Sequence, residues 1–231
     1  MFTMNCKGRL LVVDKPIVMG ILNLTPDSFY SGSRINDEAN LLRHCEKMLH
    51  DGATILDIGG QSSRPGSDRL SGDEELMRVI PSLDVVVRNF PEAYFSIDTY
   101  HAVVARNAID AGAHIINDIS GGEMDPEMIP VAAALKVPYI CMHMKGRPET
   151  MHKEPHYDNV TIEVVDYFIQ KKEQCRVAGI NDVIIDPGFG FGKTITHNFQ
   201  LLKQLSTLKI LERPILAGLS RKSTIYRTLN T

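Results

Sequence analysis

The chain has 231 residues, with 25 Lys and Arg against 28 Asp and Glu for a formal net charge of −3, close to the roughly 250 residues that one α/β barrel needs. Its charges are interspersed, which excludes the basic face of a nucleic-acid binder, and no apolar run approaches the ~20 residues of a membrane span. Met1 to Asp14 is polar at Asn5, Lys7, Gly8 and Arg9 and lacks the apolar segment of a signal peptide. Cys6, Cys45, Cys141 and Cys175 are scattered, with no CxxC pair, and read as reduced thiols of a cytoplasmic protein.

In chain order, residues 2–6 and 9–13 flank Lys7–Gly8 and predict a β-hairpin that closes one end of a barrel. A strand at 17–22 leads into NLTPDSFYSG (23–32), whose Pro and Gly predict an irregular path. Residues 37–50 follow as a helix, with Asn36 as N-cap, Asp37 and Glu38 in the first turn, and Leu41, Leu42, Cys45, Met48 and Leu49 on one face. A second strand, 54–58, enters GGQSSRPGS (59–67), where Arg64 sits between hydroxyl residues and a Pro-Gly turn. Ser71 with Glu74 gives a capping box for the next helix. Further strands are expected at 93–97, 114–117, 137–142, 182–186 and 214–219.

One phrase recurs: a helix, a Gly, a short apolar run, then Asn or Asp. It reads DGATILDI at 51–58, AGAHIIND at 111–118 and AGINDVIID at 178–186. Gly52, Gly112 and Gly179 fit the left-handed position that ends a helix. The apolar runs are unbroken, as in parallel strands buried on both faces. Repeated strand and helix without a linker predict a single domain over 1–231, an α/β fold of the (β/α)8 TIM-barrel type. The doubly wound alternative would place a Gly-rich fingerprint after the first strand, where this chain has NLTPDSF.

Polar residues fall where strands end: Asn23, Asp57, Asp98, Asn117 with Asp118, His143, Asp186 and Ser220. In a parallel barrel these ends share one face and converge on one pocket. Asp57 is left to a structural role, because the next loop supplies a better candidate, and His143 reads either as a base or as a structural histidine. DPGFGFGK (186–193) lacks the spacing of a Walker A; its Phe191 and Lys193 read as pocket rim, with a surface lysine as the alternative for Lys193. GLSRKS (218–223) opens a helix whose N–H groups, with Lys222 and Ser223, suit an anion.

NLTPDSF, GGQSSRPG, SIDT, INDISG, MHM, DPGFGFGK and SRKS, in this order, resemble the dihydropteroate synthase family throughout residues 17–223. The resemblance implies condensation of 6-hydroxymethyl-7,8-dihydropterin pyrophosphate with p-aminobenzoate, giving 7,8-dihydropteroate and pyrophosphate, with Mg2+. It assigns Asp98, Asn117, Asp186 and Lys222 to the pterin, with Ile119, Met142 and Gly218 beside it, and Asp98, Asp186 and Lys222 to catalysis. Phe29, Ser63, Arg64, Pro65 and Ser223 match positions around p-aminobenzoate and the substrate loops, and Asn23 matches the family's Mg2+ ligand. Small-molecule substrates and a homodimer are implied, and neither nucleic acid nor membrane is.

Gln61 and Ser63 stand where many members carry Glu and Thr, and both keep their hydrogen-bonding capacity. Members continue beyond SRKS to an eighth strand ending in Arg-x-His-Asp, so the resemblance implies a barrel whose eighth strand and last helix lie outside this chain; its homodimer, built on C-terminal helices, is then in question. A pterin-binding protein without turnover stays open as an alternative. So does a methyltetrahydrofolate methyltransferase barrel, against which NLTPDSF and SRKS argue.

Overall fold

Strand β1 (Phe2–Cys6) and strand β2 (Arg9–Val13) form an antiparallel hairpin around Lys7 and Gly8, both at positive φ. The computed structural model describes residues 1–24, 34–61, 69–146 and 155–220, with 222, 224, 225 and 228; in 34–37 it describes the backbone alone. After the hairpin come β3 (Val18–Asn23), β4 (Ala53–Gly59), β5 (Tyr94–Asp98), β6 (Ile115–Asp118), β7 (Tyr139–Met142) and β8 (Val183–Asp186). These six form one parallel sheet in sequential order. The helices α1 (Arg34–His50), α2 (Gly72–Asn89), α3 (Ala102–Asp110), α4 (Met128–Leu135), α5 (Val160–Ala178) and α6 (Ile195–Lys203) each follow one strand, before a 3-10 turn at Leu205–Leu211. Sequential order without a reversal is the winding of a β/α barrel; a doubly wound sheet reverses at its switch point.

The strands alternate with period two. Leu22, Leu56, Ile58, Phe95, Ile97, Ile116, Tyr139, Cys141, Val183 and Ile185 face the helices in the larger apolar cluster. The opposite positions Ile55, Ile115, Ile140 and Ile184 form a second cluster with Met4, Cys6 and Leu11 of the hairpin. The hairpin therefore seals the N-terminal end of the strands, as its pattern predicts. Arg9 fastens it, donating to the carbonyls of Pro91 (3.0 Å), Glu92 (2.7 Å) and Ala93 (3.1 Å) with its guanidinium 4.3 Å from the Tyr94 ring centroid. The Asn5 amide adds a 2.8 Å bond to Asp182.

The capping box of α2 is present in both directions between Ser71 and Glu74, and Gly52, Gly112 and Gly179 all take positive φ. Expectation and structure part at two places. Asn36 does not precede α1, which begins at Arg34; Arg and Ile are compatible with a first turn, so a polar Asn alone does not mark the start. The strand expected at 214–219 is reduced to one parallel bridge, Ile215 to Ile185. Ile185 donates to Pro214 O (3.0 Å) and accepts from Leu216 (2.9 Å). Among the described residues the 214–219 segment pairs on that side alone, and the ladder does not propagate. No helix among the described residues is long and apolar enough to cross a membrane.

Candidate functional site

The interior positions, mostly apolar at the hairpin end, become mostly polar at the other. Ile55 is followed on its face by Asp57 and Gly59, Ser96 by Asp98, Ile115 by Asn117, Ile140 by Met142 and Ile184 by Asp186. Parallel register aligns Asn23 with Gly59, Gly59 with Asp98, Asp98 with Asn117, and Met142 with Asp186. The register thus brings Asn23, Asp98 and Asn117 to one layer, and Met142 and Asp186 stand one inward position further along, because Asn117 pairs with Ile140. Glycine keeps it open: a Cβ on Gly59 would lie 3.3 Å from Asp98 Oδ2, and one on Gly218 would lie 3.9 Å from Asp186 Oδ2.

Beneath this layer Asp57 is buried and organises Asn117. Asn117 Nδ2 donates to Asp57 Oδ2 at 2.9 Å, which leaves the Asn117 Oδ1 free among the described residues to accept from a ligand. Burial pushes the Asp57 carboxyl up to about 6, against the lowering by Ser96 and Asn117. Burial, then the negative fields of Asp57, Glu75 and Asp118, hold Asp98 well above the usual carboxylate range, while Lys222 opposes them. Asp186 accepts from the Gly188 amide at 2.8 Å. Its carboxyl is pushed up to about 6 by burial, partly offset by that bond and by Lys222 and Lys193. Burial lowers the Lys222 ammonium, and Asp186 and Asp98 pull it back up. The site thus holds acceptor oxygens around one ammonium.

Beside these groups lies an apolar wall, Met142 and Phe191 with Ile119 and Met144 packed on them. Lys222 Nζ stands 4.3 Å from the Phe191 ring centroid. The wall and the acceptors together suit a flat heteroaromatic ligand with N–H donors along one edge.

Lys193 departs from expectation: it is buried at 8% exposure, not a surface lysine. Its ammonium bonds His143 Nδ1 at 2.9 Å. That bond, and a T-shaped contact with Tyr167 at 4.9 Å, place His143 in the scaffold. Burial and Lys193 push its pKa down to about 2, so it stays neutral. Phe29, Ser63, Arg64, Pro65 and Ser223 lie outside the described residues.

One further contributor was not legible in the motifs, and one expected strand-end residue, Asp118, turns out to serve the scaffold. Glu75, on the buried side of α2, accepts from Thr99 Oγ1 at 3.0 Å, and burial pushes its carboxyl up to about 7. Asp118 points away from the pocket and accepts from the Ser120 amide (2.8 Å), Ser120 Oγ (2.7 Å), the Gly122 amide (2.7 Å) and Tyr139 Oη (2.8 Å). It shapes the turn after β6 that carries Ile119. Asn117 and Asp118 are adjacent in sequence, and strand alternation sends one to the ligand and the other to the scaffold.

Among the described residues no three His, Cys, Asp or Glu side chains gather to hold a metal ion. Asn23 is exposed at the end of β3 and offers a single neutral oxygen. Such a donor fits a hard cation that brings its own phosphate and water ligands.

The pterin binding enzyme family matches residues 19–231. Dihydropteroate synthase of Escherichia coli (strain K12) is 44% identical over 226 residues, covering 97% of this chain and 79% of that protein. Among solved structures, Yersinia pestis dihydropteroate synthase with a sulfonamide drug superposes with a TM-score of 0.91 at 42% identity, covering 100% of this chain and 84% of that one. The Xanthomonas albilineans enzyme with 4-aminobenzoic acid gives a TM-score of 0.90 at 40% identity, covering 99% and 81%.

Proposed function

The chain belongs to the dihydropteroate synthase family of pterin binding enzymes, and from that premise we propose that it joins 6-hydroxymethyl-7,8-dihydropterin pyrophosphate to p-aminobenzoate, forming 7,8-dihydropteroate and releasing pyrophosphate. The observation that carries this reading is the set of acceptors at the strand ends: Asp98, Asn117 and Asp186 are the last inward positions of β5, β6 and β8, with Asn117 turned by Asp57 to offer its carbonyl oxygen. An amino-pyrimidinone edge supplies the matching N–H donors, and Lys222 donates to an acceptor on the same ring system. Ile119, Met142 and Phe191 cover the ring.

Chemistry follows from charge. The bond between the exocyclic carbon and the pyrophosphate oxygen breaks heterolytically and leaves a cation delocalised into the pterin. The neutral amine of p-aminobenzoate adds to that carbon and loses a proton. No nucleophilic side chain is needed. Asp98 and Asp186 are set in place beforehand, and once the N–H donors of the bound pterin draw them into their ionised form they stabilise the electron-poor ring as it forms. Phe29, Ser63, Arg64 and Pro65 are assigned to the loops around p-aminobenzoate that exclude water from the cation, and Ser223 to its carboxylate. Asn23 is the residue that would hold Mg2+, and the ion would supply charge neutralisation for a pyrophosphate leaving group.

Release of pyrophosphate from the two substrates and Mg2+ tests the reading. Release that requires p-aminobenzoate supports it; pterin binding with no release contradicts it for this chain.

A further inference from the structure

Residues 187–193 turn back against the end of β7 more closely than side chains allow. A Cβ on Gly188 would lie 2.0 Å from His143 O, and one on Gly192 would lie 2.2 Å from Lys145 O. Gly188, Gly190 and Gly192 all have positive φ, so the turn is built from backbone alone. Its carbonyls converge on one cation. Lys193 Nζ, buried, donates to Gly188 O at 3.0 Å and Phe191 O at 3.1 Å, meets His143 Nδ1 at 2.9 Å, and lies 3.4 Å from His143 O. An ammonium has three N–H groups, and three close acceptors take them. Without the charge the Phe191 carbonyl and His143 Nδ1 would lose this donor in a buried space, which is unfavourable, and Gly188 O would keep only its 3.1 Å bond from the Phe191 amide.

The turn is also what Lys222 rests on. Phe191 puts its ring 4.3 Å from Lys222 Nζ, and a Cβ on Gly190 would come within 3.4 Å of Lys222 Cδ. Asn198 Oδ1 holds the Gly190 amide at 2.8 Å and Tyr157 Oη holds Gly192 O at 2.8 Å, but neither gathers the Gly188 and Phe191 carbonyls.

We propose that Lys193 is a positioning residue for pterin binding: its buried ammonium folds the 187–193 turn onto β7, and the turn in place sets Phe191 and Lys222 against the ligand. The ligand part of this inference rests on the pterin site proposed above; the effect on the turn does not.

The test compares the full chain with Lys193→Met, Lys222→Met and the double variant, using calorimetric titration with 6-hydroxymethylpterin and amide hydrogen exchange. Lys193→Met is expected to speed exchange at Gly188, Gly190 and Phe191, leave Ile116 and Ile185 in the sheet unchanged, and weaken pterin binding about tenfold. The double variant is expected to bind no worse than Lys222→Met, because Lys193 acts through the position of Lys222. Unchanged exchange in the turn, or losses that multiply in the double variant, would overturn the proposal. Lys193→Gln, which keeps two N–H donors without the charge, should give a smaller change in the same exchange pattern, and it carries the comparison if the Met variant does not fold. A wild-type chain that fails to bind the pterin contradicts the proposed function, and turn exchange then decides for or against Lys193 by itself.

Discussion

At the residue scale the site is a set of carboxyl groups kept out of water. Asp186 has its carboxyl at about 6 in the free protein, and a ligand with N–H donors binds its ionised form. Binding therefore lowers that pKa, so the contribution of Asp186 to affinity is full above it and declines as pH falls through it. Titrations with a pterin should accordingly weaken progressively below about pH 6, and an affinity unchanged down to about pH 4.5 would contradict the role of Asp186. Asp57→Ala should free the Asn117 amide to rotate and weaken pterin binding about tenfold, with the sheet intact by circular dichroism. Glu75 gives a stability test. Its carboxyl rises from an ordinary 4.5 to about 7, so the folded state holds a proton that the unfolded state has lost between those values. Its contribution is complete below 4.5 and lost as pH rises through about 7. Glu75→Gln should flatten the decline of Tm over that window, and an unchanged slope would refute the burial argument. Asp98, Asn117 and Asp186 were legible because each ends an apolar run. Glu75 and Lys193 were not, because a charged residue reads as surface until folding supplies its partners, here Thr99 for Glu75 and, for Lys193, distant His143 together with the carbonyls of its own turn.

At the scale of elements, strand ends and close turns do the placing. Gly188 combines φ +66° with a Cβ position 2.0 Å from His143 O, so Gly188→Ala should cost about 2–4 kcal/mol by chemical denaturation and displace Asp186, whose carboxylate accepts from the same residue. An alanine variant of wild-type stability would show that the turn has another conformation. The helix-ending glycines and the Ser71 capping box could be read directly because they are local rules, satisfied within four residues. The segment 214–219 could not. Its apolar run has the composition of a strand, but a ladder requires a partner in register, and the structure provides one bridge to Ile185.

For the whole molecule, sequential parallel pairing makes the strands share one interior, apolar below and polar above. The hairpin closes the apolar end through Met4, Cys6 and Leu11. Leu11→Ala should therefore destabilise the chain by about 2–4 kcal/mol by denaturant unfolding while leaving pterin affinity near wild type, because the change lies at the opposite end from the ligand layer. A large loss of affinity with little loss of stability would contradict that separation. The architecture was legible from the recurrence of helix, glycine, apolar run and acidic or amide residue. The division between the layers came only with register. The central claim is that the polar layer recognises a pterin, and calorimetric titration of Asp98→Asn with 6-hydroxymethylpterin tests it most directly. Wild type is predicted to bind and the variant to lose affinity by about a hundredfold, since a charged acceptor is replaced by a neutral amide; an affinity equal to that of wild type would contradict the account.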